Sequence, residues 1–196
     1  SCFTVSNLFI THYAILLPFV FLAVGATADR LLRWGGHLLL VPLLAALVWW
    51  GTCDLWVTVQ YHGALAASGG HAAHSDAIYR LAEYLDAQDH RAPLVLDWGM
   101  EAPIYFLTAG RVRPVEIFGY ERLDAPDAGF AERLRPFLGD SSIVYLFHVP
   151  EETVFRGRSE AFDRVVAEAG LVPRVEEAFY ERSGRLIFVL ARVEPP

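Results

Sequence analysis

Polar and apolar positions divide the chain into two regimes. Residues 8–28, "LFITHYAILLPFVFLAVGATA", hold no charged side chain, and residues 38–59, "LLLVPLLAALVWWGTCDLWVTV", hold only Asp54. Each run is about 20 residues, the length that crosses roughly 30 Å of hydrocarbon in helical form. A helix in a soluble core is seldom apolar on every side over that length. Both runs are therefore expected to be transmembrane helices. Pro18 and Pro42 are compatible with this, because neighbouring groups in a membrane bundle satisfy the freed carbonyls. Trp49, Trp50, Trp56 and Tyr61 gather at the far end of the second run. Trp and Tyr favour the membrane–water interface, which puts the exit near Trp56. The stretch "DRLLRWGGH", 29–37, is expected to be the turn between the spans. Its Arg30 and Arg33 assign it to the cytoplasm, and so place Ser1–His12 and everything after about Tyr61 outside.

Beyond the second run the pattern changes. "YHGALAASGGHAAHSD", 61–76, is small, Gly-rich and Ala-rich. It reads as a linker over 61–74 or as the frayed end of a helix. From residue 75 onward, helical and extended periods alternate. Ile78, Leu81, Ala82 and Leu85 recur at helical spacing after Ser75, a candidate N-cap. "PLVLDWG" is a short apolar strand, 101–109 looks helical, and "RVRPVEIF" is a strand whose proline points to an edge or a bulge. Phe130, Leu134, Phe137 and Leu138 give a helix ended by Gly139. "SSIVYLFHVP" is a continuous apolar run, as in a strand covered on both faces. Phe162, Val165, Val166 and Ala169 give a further helix, stopped at Gly170. "VEEAFYER" and "RLIFVLARV" flank Ser183–Gly184, a hairpin signal. The predicted architecture is α/β: two transmembrane helices, then an external α/β domain over 75–196 with a mostly parallel sheet and a C-terminal β-hairpin.

Composition sharpens this picture. The chain is 54% hydrophobic over 196 residues, against roughly 45–50% in ordinary soluble domains, and the excess lies in the first third. The remainder is long enough for one core. Net charge is −7 and all 16 basic residues are arginine. No basic stripe alternates with aromatics, which argues against nucleic acid as a partner. The absence of lysine beside abundant Ala, Arg and Gly suggests a high-GC bacterial coding bias. An apolar chain that opens on Ser1 rather than Met reads as the C-terminal part of something longer. It does not read as a signal peptide, since no basic region precedes the first run and a second run follows. Cys2 and Cys53 form no CxxC pair; both are expected near the outer face, where a disulfide and two unpaired thiols, one in a lipid-facing helix and one in a tail, are equally compatible.

Sequence motifs for nucleotide binding and for several hydrolytic reactions are absent: no GxGxxG, no GxxxxGK[ST], no GxSxG, no HExxH. What remains is a set of weaker candidates. Asp97, Trp98 and Glu101 follow the first strand of the domain, and ligands of open α/β sheets bind outside such strand ends. Two carboxylates four apart suit acid and base roles; the bland alternative is a helix cap plus a solvated first-turn acid. Arg111 and Arg113, on one face of their strand, suit a phosphate or acidic sugar, or form a surface pair on an edge. His62, His71 and His74 are loosely clustered without convincing partner ligands, so no metal is assigned. His12 and Tyr13 lie at the outer end of the first span, where a titratable side chain is a functional candidate by default.

The residues also carry a resemblance. "THYAILLPFVFLAVGA", a second span, "IYRLAEYL" and "PLVLDWGMEAPIYFLTAGRVRPVEIF" resemble the C-terminal end of bacterial GT-C glycosyltransferases. These are large multi-span enzymes similar to protein O-mannosyltransferases and aminoarabinose transferases. The HY-x₄-P of His12, Tyr13 and Pro18 resembles their [RK]-[YH]-x-L-x₂-P element at the start of a late span. The resemblance implies transfer of a sugar from a polyprenyl-phosphate carrier to an acceptor outside the membrane. It implies a catalytic acid in a first external loop that these residues do not include, so no catalytic residue is assigned. It implies a carrier-phosphate contact at His12 and Tyr13, with His a departure from the family's basic residue. The implied setting is the bacterial inner membrane, multi-pass, with the domain on the outer side. The implied partners are the lipid bilayer, the polyprenyl-phosphate-linked sugar and further transmembrane helices, with no cofactor in these residues. The rival expectations are a membrane-anchored external ligand-binding or sensor module without catalysis, and a structural membrane subunit.

Overall fold

A computed structural model describes residues 16–71 and 74–196, without the side chains of Leu17, His37 and His71. It divides into two compact units, Ser1–Tyr61 and His62–Pro196.

In the first unit, α1 spans Leu17–Gly35 and α2 begins at Leu40 after a 3₁₀ turn over Gly36–Leu39. Pro18 and Pro42 both fall in a first helical turn, where the missing N–H has no intrahelical partner to lose. The expected turn at 29–37 is helical as far as Gly35. Nothing in 29–34 breaks a helix, and Arg33 pairs with Asp29 one turn earlier at 2.9 Å. The stop comes at the Gly35–Gly36 pair. The α2 helix, Leu40–Ser68, is 29 residues long and buries none of them. Among the described residues it is the one helix long and apolar enough to cross a membrane. Residues 8–15 of the expected first span lie outside the described residues.

The helix also runs through most of the expected linker. Gly63 is its only breaker there, and the surrounding alanines are the best helix formers. It stops at Gly69, which adopts φ +90° and donates its N–H to Leu65 O at 2.8 Å, a left-handed C-terminal cap.

The second unit is a sheet covered by helices on both faces. After a two-residue ribbon of β1 (Gly70–His71) and β2 (His74–Ser75) come α3 (Ala77–Ala87), β3 (Leu94–Val95), α4 (Glu101–Leu107), β4 (Val115–Glu116) and α5 (Phe130–Leu134). Then follow β5 (Tyr145–His148), α6 (Arg158–Glu168), β6 (Val172–Tyr180) and β7 (Leu186–Glu194). The five main strands lie in the order β4-β3-β5-β7-β6. Alternation along the strands sorts the core. Val95, Val144, Leu146 and Phe188 pack with Leu81, Leu85, Met100 and Ile104 on one face. Leu94, Leu96 and Tyr145 pack with Phe130, Leu134, Phe162 and Val166 on the other.

The expectation of a mostly parallel sheet is corrected: the sheet is mixed. The β4-β3-β5 block is parallel, but β7 runs antiparallel to β5, and β6 antiparallel to β7. The expected C-terminal hairpin forms at the tight connection after β6, and its second strand inserts between β6 and β5 instead of adding at the edge. That connection has three residues, Arg182–Gly184, closed by Glu181 N–H to Arg185 O at 2.9 Å, with Gly184 left-handed at φ +89°. The nine-residue strands of the hairpin then outweigh the two-residue parallel ones. The edge position expected for the Pro114 segment is what β4 occupies.

Candidate functional site

The sheet directs attention to one place. The chain leaving β3 enters α4, which packs on one face, while the chain leaving β5 leads to α6, which packs on the other. In open α/β sheets such a divergence opens a crevice beyond the strand ends. Two side chains stand there: Asp97, two residues after β3, and His148, the last residue of β5.

Asp97 is 2% exposed, and its carboxylate is saturated by its own chain. Its Oδ1 accepts from Trp98 N–H at 2.8 Å and Phe155 N–H at 3.1 Å. Its Oδ2 accepts from His148 Nδ1–H at 2.9 Å, Thr153 Oγ1–H at 2.6 Å and Val154 N–H at 3.3 Å. Burial pushes the carboxyl pKa up, but the bonds from His148, Thr153 and Trp98 outweigh it and hold the pKa below the usual range. The loop after β5 is thereby tied across the crevice. Its Glu152 is held as well, by Arg185 Nη1 at 2.6 Å, and Arg185 in turn donates to buried Glu181 at 3.0 Å. The other ring nitrogen of His148, Nε2, is buried without a hydrogen-bond partner among the described residues; the ring lies 4.9 Å from that of Phe188.

A second buried charge closes the same edge. Arg158, at the start of α6, donates to Ala125 O and Arg122 O at 2.7 Å, Arg156 O at 2.9 Å, Gly119 O at 3.3 Å and Phe118 O at 3.4 Å. Its guanidinium stands 5.1 Å from the Phe155 ring centroid. Five carbonyls of the loops after β4 and β5 are gathered on one cation. Burial lowers its pKa against the attraction of Asp127 and Asp97. Asp97 collects N–H groups and Arg158 collects C=O groups, so the edge is filled by backbone.

The expected site residues are distributed differently. Asp97 does not cap α4, whose N-cap, Met100, makes no side-chain cap bond. Glu101 is exposed at the first position of α4, whereas Asp97 is buried, so the two do not form an acid–base pair. Glu101 instead acts on Glu116, whose pKa is raised by burial and by Glu101, against the Tyr120 hydroxyl that donates to it. Trp98 is half-buried, edge-on to His74 with centroids 6.1 Å apart. Arg111 and Arg113 precede β4 rather than lying in it; both are exposed around buried Val112, so the alternation holds although the regular ladder is short. Arg111 grips Asp86 through three bonds of 2.6–3.0 Å, and Arg113 donates to Gly110 O at 3.3 Å. They are engaged in holding α3 and the turn after α4, not convergent on an open site. His12, Tyr13 and Cys2 lie outside the described residues. Cys53 is exposed on α2. Among the described residues no group of three His, Cys, Asp or Glu is placed to hold a metal.

His148, Thr153 and Arg158 do not stand out in the sequence. For His148 a signal exists: "PLVLD" and "VYLFH" are parallel-strand candidates that each end on a polar side chain, and strand ends meet at a divergence of connections. For Arg158, one arginine among 16, there is none.

Comparison of the chain with protein families, with curated proteins and with solved structures finds no match.

Proposed function

We propose that the chain is the membrane-embedded C-terminal part of a multi-span glycosyltransferase. In this reading it serves transfer of a sugar from a polyprenyl-phosphate carrier to an acceptor outside the bacterial inner membrane. The α/β domain is an accessory platform on the outer side and not the reaction centre. The observation that carries the reading is α2: 29 residues with none buried, an apolar surface that water does not tolerate and lipid does. The run over residues 8–28 supplies a second span, with Arg30 and Arg33 at its cytoplasmic end. His12 and Tyr13 stand at its outer end, where they meet the carrier phosphate. The assignment to GT-C enzymes rests on the resemblance of the spans and of "PLVLDWGMEAPIYFLTAGRVRPVEIF". The filled crevice supports a platform role, because a carboxylate with five donors has no capacity left for acid–base work.

The test is a comparison of membranes from cells with the gene intact and disrupted, supplied with labelled polyprenyl-phosphate-linked sugars. One transfer reaction is expected to disappear on disruption. It is expected to return with Glu101→Gln and to be weaker with His12→Ala. Identical transfer with and without the gene would sink the proposal.

One observation favours a second reading, a membrane-anchored ligand-binding module: the Nε2 of His148 at the divergence of β3 and β5 has no partner among the described residues. This reading requires a ligand whose hydrogen-bonding group reaches Nε2, as a hydroxyl can. A change in the His148 ¹⁵Nε2 resonance on adding small polyols to the detergent-solubilised chain would favour it over the transferase.

A further inference from the structure

The end of α1 carries a charged hollow on an apolar helix. Ala26, Thr27, Asp29, Arg30 and Arg33 line an open surface depression of about 470 Å³. Ala26 and Thr27 leave room on this face, and the Thr27 hydroxyl is turned inward to Ala23 O at 2.8 Å. Arg33 meets Asp29 through Nε, at 2.9 Å from Oδ2 and 3.1 Å from Oδ1. Its two terminal nitrogens have no partner among the described residues. Arg30 has no carboxylate partner among them; its guanidinium stands 5.1 Å from the centroid of Trp34, a ring that is 79% exposed. Below the hollow the helix shows Phe19, Val20, Phe21, Leu22 and Val24 on its surface. An apolar shaft, then two cations with unused donors, then an exposed indole is the order of chemistries met on leaving a bilayer: acyl chain, phosphate, headgroup boundary.

We propose that this hollow binds the phosphate of an anionic lipid headgroup, held by Arg30 and by the terminal nitrogens of Arg33. Planar guanidinium groups offer paired N–H donors to phosphate oxygens, and the cation–π contact with Trp34 leaves the N–H edge of Arg30 without a carboxylate. Asp29 restrains the site: it engages Arg33 and opposes an anion. The proposal rests on the membrane reading of the chain.

The test uses the full chain with vesicles of phosphatidylcholine alone, or of phosphatidylcholine mixed with phosphatidylglycerol. Flotation measures membrane association, and spin-labelled versions of the two lipids measure headgroup preference. The wild type is expected to float with both vesicles and to prefer the anionic lipid. Each arginine in contact contributes about 1 kcal/mol near an anionic surface, or about fivefold. Arg30→Gln is therefore expected to lower the preference about fivefold, Arg30→Gln with Arg33→Gln to abolish it, and Asp29→Asn to raise it. Flotation of all variants should be unchanged. Equal binding of the two lipids by the wild type, or a preference that survives both arginine substitutions, overturns this proposal and leaves the membrane reading standing. Failure to float with either vesicle overturns both. Loss of the preference in excess inorganic phosphate, but not in chloride at matched ionic strength, identifies a free anion as the ligand and overturns the assignment to lipid.

Discussion

His148 at the end of β5 donates its Nδ1–H to Asp97 beyond the end of β3, at 2.9 Å, in full burial. This bond spans the place where an α/β sheet of this topology would offer a ligand its crevice. Here the crevice is occupied by Thr153, Val154 and Phe155 of the protein itself, which converge on the same carboxylate. The consequence is a domain organised for rigidity at that edge.

Asp97 should therefore matter for stability. Asp97→Asn removes the charge, and Asp97→Ala strands its donors in a buried space. Either change is expected to destabilise the domain by about 3 kcal/mol, read as a lowered urea midpoint. Thr153→Val, which removes one donor and keeps the shape, should cost about 1 kcal/mol. An Asp97→Asn protein as stable as the wild type would show that the loop is held by other means.

The same carboxylate sets an acid limit. Its folded pKa lies below the ordinary value, so its contribution is fully present above the unfolded pKa and is lost as pH falls through the folded one. The stability gap between wild type and Asp97→Asn is expected to narrow as pH falls below about 4. Unfolding curves of both proteins across that range test it; a gap that widens in acid contradicts the assignment.

Arg158 tests the opposite charge. Five carbonyls face its guanidinium, and a lysine ammonium has three donors and no planar fork. Arg158→Lys is expected to cost about 2 kcal/mol and Arg158→Leu about 3 or more. Hydrogen exchange should quicken first in the loop after β4, residues 119–125. Faster exchange confined to α6 would place the role of Arg158 elsewhere.

Two left-handed glycines separate conformation from contact. Gly184 has φ +89° and open space where a side-chain methyl would stand, whereas a Cβ on Gly69 would lie 2.5 Å from Asp76 Oδ1 and 2.8 Å from Arg182 Cβ. Gly184→Ala is expected to cost about 1 kcal/mol, from backbone strain alone. Gly69→Ala is expected to cost at least about 2 kcal/mol, because Asp76 and Arg182 must also move. Equal thermal shifts for the two variants would mean that the hairpin turn is not packed on the end of α2, where Ser183 N–H meets Ser68 O at 2.9 Å.

Periodicity makes the helices legible. The buried stripe of α3 is Ala77, Leu81, Ala82 and Leu85; spacing picks out the last three together with Ile78, which is half-buried, and the hairpin follows from Ser183–Gly184. Boundaries are harder to read. The alanines of 64–67 suggest a linker because glycines flank them, yet helix propensity carries α2 to Ser68. The balance of the sheet is misjudged from pattern, since strand–helix alternation implies parallel pairing and does not tell that β7 inserts between β5 and β6. Asp97 stands out in the sequence, but its partners His148 and Thr153 lie 51 and 56 residues away. That pairing is a product of topology, and local pattern does not encode it.

The proposed function depends first on α2 lying in lipid. The most direct measurement is alkaline carbonate extraction of membranes from cells expressing the chain, followed by detection of the chain in pellet and supernatant. Retention in the pellet, with release only by detergent, is the predicted result. Recovery in the carbonate supernatant would mean that the exposed apolar surface of Leu40–Ser68 is covered by protein, and the membrane transferase reading would be withdrawn.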